Sequence, residues 1–398
     1  MRWPRSLAVV LVTALLAACG GGKGNAGSSS LTGKTLAFGA VFSLVGGGGV
    51  YGPQQKNAVQ LATENVNRQG GVNGAKIAFS IEDDASDKQQ SAQVTQRLIQ
   101  EQRVLALLGP TLSNSAVAAH PIANSFRTPM LAVSTTGFQI VGNCPYPCTY
   151  IFRDSLGEAA AIPANIKAYV DEKHPKTAVL LYPNDDKFSA DGAQVVRDDV
   201  GPSGIRLLDS IQFTKNEADL TPYVTRAVQM HPDVIFITSL GAIPSKIMTE
   251  ARRQGFTGQF LGGNGFNTAA VSKAAGDAGT GARSASAWYI GNDFATNAEF
   301  VDAYRKRFGG DPDQFAAQAY TGVLILVDAA RRAKLTLTPA SLASDRDRLR
   351  AALEKTSLDT PLGPFQFTPE HDVRQTIWII AMDGKGGFNL VTSVKPGT

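Results

Sequence analysis

The sequence predicts a parallel α/β fold, and three observations carry that prediction. Strand-like and helix-like stretches alternate along nearly the whole chain after residue 33, the pattern of βα units stacked into a parallel sheet. Residues 105–136, LALLGPTLSNSAVAAHPIANSFRTPMLAVSTT, contain one complete unit. An apolar run stops at Gly109-Pro110, a helical segment covers 116–126, and a second apolar run over 129–133 ends in Ser134-Thr135-Thr136. Beyond the chain start, no stretch is long and apolar enough to span a bilayer.

The remaining elements follow in order. Residues 35–43 read as a strand, and 53–69 as a helix with Pro53 in its first turn and Gly70-Gly71 ending it. Residues 76–82 alternate as a strand and 83–101 read as a helix. After the central unit come a strand at 150–153 and a helix over about 156–173. Strands at 177–182, 206–213 and 233–238 alternate with helices at 190–200, 220–231 and 243–254, the last closed by Gly255. Short strands at 260–262 and 284–290 lead into helices at 295–308, 314–333 and 341–355. The tail is β-rich at 365–368, 376–383 and 388–394.

The first 19 residues, MRWPRSLAVVLVTALLAAC, have the layout of a targeting segment. Arg2 and Arg5 form a basic start, the apolar core is too short for a membrane helix, and Leu16-Ala17-Ala18-Cys19 resembles a bacterial lipobox in which Cys19 becomes lipidated. The Gly/Ser-rich residues 20–33 read as a flexible tether. About 365 residues remain, enough for two lobes with real cores. Apolar content of 43% with 18% charged residues places the chain among globular proteins. The formal charge of +4 falls to +2 without Arg2 and Arg5, too balanced for a nucleic-acid partner. With Cys19 lipidated, Cys144 and Cys148 remain as a pair in an oxidising compartment, so a disulfide is expected. A zinc site would need further ligands, and neither His nor Cys lies nearby.

The central unit gives the first site candidates. A βαβ unit is right-handed, so both strand ends open on one edge of the sheet, where open α/β sheets bind ligands. Ser113 or Asn114 offers an N-cap to the helix. Hydroxyls beside a helix N-terminus suit a small anion, because free N–H groups and the helix dipole favour negative charge. The same residues serve equally well as plain caps and turns. Asp185-Asp186 and Asp83-Asp84 lie at strand ends, where they could meet a ligand amine or simply line a turn.

Motifs for catalysis are missing. The run 47–52 fits G-x-G-x-x-G, but it sits in a glycine tract where a match comes easily, and an exported protein has no dependable nicotinamide supply. A glycine loop that lets backbone and Tyr51 line a cleft is the better use. The sequence has no G-x-x-x-x-G-K-[ST], no G-x-S-x-G and no H-E-x-x-H. Of the four histidines, His174 and His231 precede Pro and His371 precedes Asp, so they read as surface or capping residues. No cofactor, no metal and no enzymatic activity are expected.

The chain resembles the extracytoplasmic solute-binding proteins of ABC transporters, in the branched-chain amino-acid (Leu/Ile/Val-binding) family. The likeness rests on Tyr51-Gly52, the run VNRQGGVNG at 66–74, EDDASD at 82–87, the loops 109–115 and 129–136, Phe152-Arg153, DLTP at 219–222 and LGPF at 362–365. It implies a type I periplasmic-binding fold: two Rossmann-like lobes, a three-strand hinge and a ligand in the cleft. Lobe 1 would comprise 34–153 and 284–361, lobe 2 154–283 and 362–398. The resemblance carries Ser113, Ser134, Thr135 and Thr136 over as holders of a ligand carboxylate and ammonium, and Tyr51 as a wall. Phe188 and Leu240 fall near aromatic wall positions of the second lobe. Asn264 stands where amino-acid binders carry an acid for the ammonium. A charge-assisted hydrogen bond contributes roughly 1.5–3 kcal/mol against about 1 for a neutral one. Either another acid compensates, Asp185 or Asp186 being candidates, or the ligand is a carboxylate or amide without an amine. The implied protein is a monomer, anchored through Cys19 in the cell envelope, that delivers its ligand to an ABC permease. The alternatives are a sensor built on the same fold and an exported enzyme.

Overall fold

The computed structural model describes residues 30–396. Cys19 and the targeting segment lie outside the described residues. Strands β1 (Thr35–Phe42), β2 (Lys76–Asp83), β3 (Leu107–Leu108), β4 (Met130–Ala132) and β5 (Ile151–Arg153) form an all-parallel sheet in the order β2-β1-β3-β4-β5. Helices α1 (Gly52–Arg68), α2 (Lys88–Gln100) and α3 (Ser113–Ser125) connect its strands. Helix α2 starts later than its sequence suggests. Asp83 ends β2 and the turn after it closes on Asp87, whose carboxylate caps the helix at the N–H groups of Gln89 and Gln90.

The chain then builds a second sheet. Helix α4 (Glu158–Lys173) leads to β6 (Thr177–Pro183), α5 (Lys187–Val200), β7 (Arg206–Phe213), α6 (Thr221–Gln229), β8 (Val234–Ile237), α7 (Ile243–Arg253), β9 (Gln259–Gly262), α8 (Ala269–Ala275) and β10 (Arg283–Ser286). Helices α9 (Ala295–Phe308), α10 (Gln314–Arg332) and α11 (Leu342–Leu353) follow, then the hairpin of β11 (Ser357–Thr360) and β12 (Gly363–Gln366). The tail strands β13 (Ile377–Met382) and β14 (Phe388–Val394) complete the second sheet, in the order β14-β13-β10-β9-β8-β6-β7, with β13 and β14 antiparallel.

The central strands of both sheets are covered on both faces, which is why β1, β6 and β8 read as continuous apolar runs. Along β6, Val179 and Leu181 enter one core with Ile235, Ile237 and Met248. Ala178 and Leu180 enter the opposite core with Ile166, Val196 and Phe236, the period-2 alternation of a strand. In the first lobe, Phe38, Phe42 and Phe152 pack with Phe300, Val323 and Leu326 of α9 and α10. On the other face, Leu107, Met130 and Ile151 pack with Leu98 of α2 and Ala119 of α3.

Three segments carry the chain between the sheets, and two of the boundaries implied by the resemblance shift. Ser284 pairs within the second sheet, so the chain leaves it only after Ser286. Leu362 and Phe365 pack in the core of the first lobe, so the last crossing runs from β12 to β13 rather than from residue 361. The reason is the β11–β12 hairpin, whose apolar side is spent on the first core. The first and last crossings are tied together: Arg153 N–H donates to the His371 carbonyl at 2.9 Å, and the Arg153 guanidinium grips both carboxylate oxygens of Asp372. His371 stacks on Phe152 at 4.1 Å between ring centroids, so it belongs to the hinge and not to the surface. His174, in contrast, caps the end of α4 in a left-handed conformation.

Candidate functional site

The C-terminal ends of β3 and β4 in the first sheet face those of β6, β8 and β9 in the second, and the sequence-predicted residues gather between them. Gly109, at the end of β3, adopts φ +99, and a Cβ there would lie 2.2 Å from the Val41 carbonyl. Only glycine lets the chain turn this tightly into α3.

Ser113 and Asn114, read as possible caps of α3, cap nothing. The helix starts at Ser113 after Leu112, with no side-chain cap. The Ser113 hydroxyl instead accepts from the Gly137 N–H at 3.3 Å. Asn114 reaches the second lobe: its amide donates to Asp186 Oδ2 at 2.7 Å, and its carbonyl accepts the Lys187 N–H at 2.8 Å. From the loop after β4, Phe138 N–H donates to Asp191 Oδ2 at 2.7 Å. These bonds hold the two lobes closed at one rim.

At the other rim Tyr51, fully buried at the start of α1, spans the lobes through its hydroxyl. It accepts from Gly241 N–H and donates to the Gly265 carbonyl, each at 3.0 Å. Burial holds this phenol well above its usual range, so it stays a donor. Its ring lies 4.5 Å from that of Phe315, and Leu112 and Leu240 close the same small apolar cluster. The glycine tract allows this approach. Gly241, at φ +65, would place a Cβ only 2.8 Å from the Gly47 carbonyl of the opposite lobe.

Between the rims runs a buried polar chain. Thr136 Oγ1 donates to Glu158 Oε1 at 3.0 Å, and the same oxygen accepts the Asn264 N–H at 3.0 Å. The Asn264 side chain accepts from Gln314, whose amide also donates to Gln318 at 3.3 Å. Glu158 Oε2, Thr135 Oγ1 and Gln318 Nε2 are buried without a hydrogen-bond partner. Burial pushes the Glu158 carboxyl up to about 7, against the opposing pull of the Asn264 N–H and the Thr136 hydroxyl.

Tyr51, Ser113, Thr136, Leu240 and Asn264 thus come together at the interface, while Thr135 is buried next to Thr136 with its carbonyl accepting from Ser155. Ser134 is buried there too, but its hydroxyl is spent inside the first lobe, donating to the Thr111 carbonyl at 2.7 Å and accepting from Gln55 at 2.9 Å. Phe188 is buried in the first turn of α5, beside the Asp186 cap. The two candidate ammonium partners are otherwise engaged. Asp185 is exposed and accepts the Lys215 N–H at 2.6 Å. Asp186 caps α5 through Ser189 with one oxygen and accepts from Asn114 with the other. Asp83 and Asp84 organise the turn after β2, accepting N–H groups of Leu44, Ala85 and Ser86. Sequence reasoning missed Glu158, Gln314 and Gln318. Each lies in the opening turns of a helix whose existence was predicted, and the signal was a polar residue at a helix start facing a crossover. Cys144 and Cys148 form the expected disulfide. Among the described residues no group of His, Cys, Asp or Glu could hold a metal ion, and no helix is long and apolar enough to cross a membrane.

Two α/β lobes with ligand-type residues on facing sheet edges define the type I periplasmic-binding fold. The chain belongs to the periplasmic binding protein family, whose model matches residues 35–387. It is 21% identical over 347 residues to the leucine-, isoleucine-, valine-, threonine- and alanine-binding protein of Pseudomonas aeruginosa, covering 87% of this chain and 89% of that one. The branched-chain amino-acid transporter binding protein LivJ of Streptococcus pneumoniae, solved with isoleucine, superposes with a TM-score of 0.81 at 24% identity, covering 91% of this chain and all of that one. A solute-binding protein of an R. palustris ABC transporter, solved with benzoate, superposes with a TM-score of 0.81 at 20% identity, covering 91% and 97% of the two chains. The family consists of solute-binding proteins rather than enzymes.

Proposed function

We propose that this protein is the extracytoplasmic substrate-binding component of an ABC importer, which traps a branched-chain or related amino acid between its lobes and hands it to a membrane permease. The observation that carries the reading is the gathering of Ser113, Thr136 and Asn264 on facing edges of the two lobes, beside the apolar wall of Tyr51, Leu112, Leu240 and Phe315. Hydroxyls and backbone N–H groups suit a carboxylate, and the wall suits an aliphatic side chain. The hydrogen bonds of Tyr51 and Asn114 across the lobes fit closure about the crossovers as the trapping motion. Lipidation of Cys19 would hold the protein as a monomer at the cell envelope.

A second reading, uptake of a small carboxylate without an amine, is favoured by Asn264, which offers no charge to an ammonium. The test is calorimetric titration of the protein, unfolded and refolded to strip carried-over solute, with leucine, valine, a neutral amide and simple carboxylates. Stoichiometric binding of leucine or valine supports the first reading, and binding of carboxylates alone supports the second. Turnover instead of binding, or docking on a signalling partner in place of a permease, would overturn both.

A further inference from the structure

We infer that Glu158 takes the place of the acid absent at position 264 and receives the positively charged amine of the ligand. This rests on the reading of the cleft as an amino-acid site and names the group that decides between its two versions. Glu158 opens α4 immediately after the first crossover, so its carboxylate stands where the lobes meet. One oxygen accepts from Thr136 of the first lobe and from the backbone of Asn264 in the second, which fixes the carboxyl between two residues of the proposed site. The other oxygen is fully buried and has no hydrogen-bond partner. A Cβ on Gly263 would lie 2.5 Å from that oxygen, so the glycine leaves room for the carboxylate at this point.

A buried carboxylate oxygen with no donor is costly, and a donor bearing positive charge relieves the cost best. The surrounding groups leave that role open. Arg153 is the cation acting on Glu158, but its guanidinium is bound to Asp372 and the Gly137 carbonyl. Asp191, the acid facing it from α5, is held by Lys187 and the Phe138 N–H. Asp186 has both oxygens engaged by Asn114 and Ser189, and Asp185 is exposed and accepts the Lys215 N–H. The raised affinity of Glu158 for a proton has the same origin: the site keeps a proton until a better cation arrives.

The experiment titrates wild type and Glu158→Gln, each stripped of solute, with L-leucine and with 4-methylpentanoate, which is leucine without its amine. The expected result is a loss of leucine affinity of tenfold or more in Glu158→Gln, with 4-methylpentanoate binding unchanged within threefold. Leucine affinity unchanged within threefold overturns the role of Glu158 and leaves the amino-acid reading standing. Wild type that binds 4-methylpentanoate or benzoate but no amino acid overturns both. Should Glu158→Gln fail to fold, wild type alone decides. Calorimetry at pH 7 in two buffers of different ionisation heat should show proton release with leucine and none with 4-methylpentanoate; equal release overturns the inference.

Discussion

Asn114 and Asp186 lie on different lobes, yet the Asn114 amide donates to the Asp186 carboxylate at 2.7 Å while its carbonyl accepts the next residue's N–H at 2.8 Å. One side chain thereby joins the start of α3 to the start of α5. Asn114→Ala removes both bonds and leaves a buried carboxylate oxygen bare. The closed form should lose about 2 kcal/mol, read as roughly thirtyfold weaker ligand binding with faster release. Stopped-flow dissociation checks this; an unchanged off-rate would show that the latch contributes nothing to closure.

Tyr51→Phe keeps the ring against Phe315 and deletes only the hydroxyl that links Gly241 and Gly265. Because both partners sit on the opposite lobe, the loss should fall on closure and not on folding. Affinity should drop by about 1–3 kcal/mol, with the thermal midpoint of the solute-stripped protein shifted by less than about 2 °C.

The hinge pair behaves differently. Arg153 is largely buried and Asp372 about one-third exposed, with side-chain exposures of 10% and 32%. Asp372→Asn removes the carboxylate charge and one of the two oxygens that the guanidinium grips. Destabilisation of about 1–3 kcal/mol is expected in urea unfolding, below the figure for a fully buried pair because solvent screens the carboxylate. A loss under 0.5 kcal/mol would mean that the crossovers are held by the Arg153 N–H bond to the His371 carbonyl and the His371–Phe152 stack, not by the ion pair.

Glu158 gives a pH dependence of defined sign. Burial sets its folded pKa at about 7, above the ordinary 4.5. Without ligand, the folded chain therefore binds more protons than the unfolded one between those values, and stability falls as pH rises through that window. The penalty is absent below pH 4.5 and reaches about 3 kcal/mol above pH 7. Urea midpoints of solute-stripped protein should fall between pH 5 and 7.5, and Glu158→Gln should flatten the fall. An amine-bearing ligand needs the ionised carboxylate, so its affinity should rise over the same interval.

The small disulfide offers a control. The bond between Cys144 and Cys148 closes a loop of few residues, so Cys144→Ser/Cys148→Ser should cost at most about 2 kcal/mol and leave ligand affinity unaltered.

The alternation of elements was legible because strand-like apolar runs and helix-like periodic segments are separated by Gly, Pro and Asp turn signals along the chain. β7, α9 and β14 stand at 206–213, 295–308 and 388–394, as their patterns indicate. Helix α8 and strand β11 were not legible, since each is short and takes its stability from neighbours. At the site, residue type pointed to Ser113, Thr136 and Tyr51. It misdirected at Asn114, whose partner is separated by 72 positions and lies across the cleft. At Asp186, local spacing does not reveal that the cap and Asn114 together take both oxygens. Glu158 was hidden for a related reason: an acid in a first helical turn is unremarkable until the opposite lobe closes over it.

Gly241 meets the Gly47 carbonyl across the cleft so closely that a methyl group on Gly241 would lie 2.8 Å from that oxygen. Main chain against main chain acts as a mechanical stop, so the angle reached on closing is fixed by the scaffold and is the same for every solute. Ligands of different bulk must then be sorted by the side chains of Leu112, Leu240 and Phe315, not by how far the jaws shut. Gly241→Ala would act as a wedge against that stop, and every ligand would lose affinity by a similar factor.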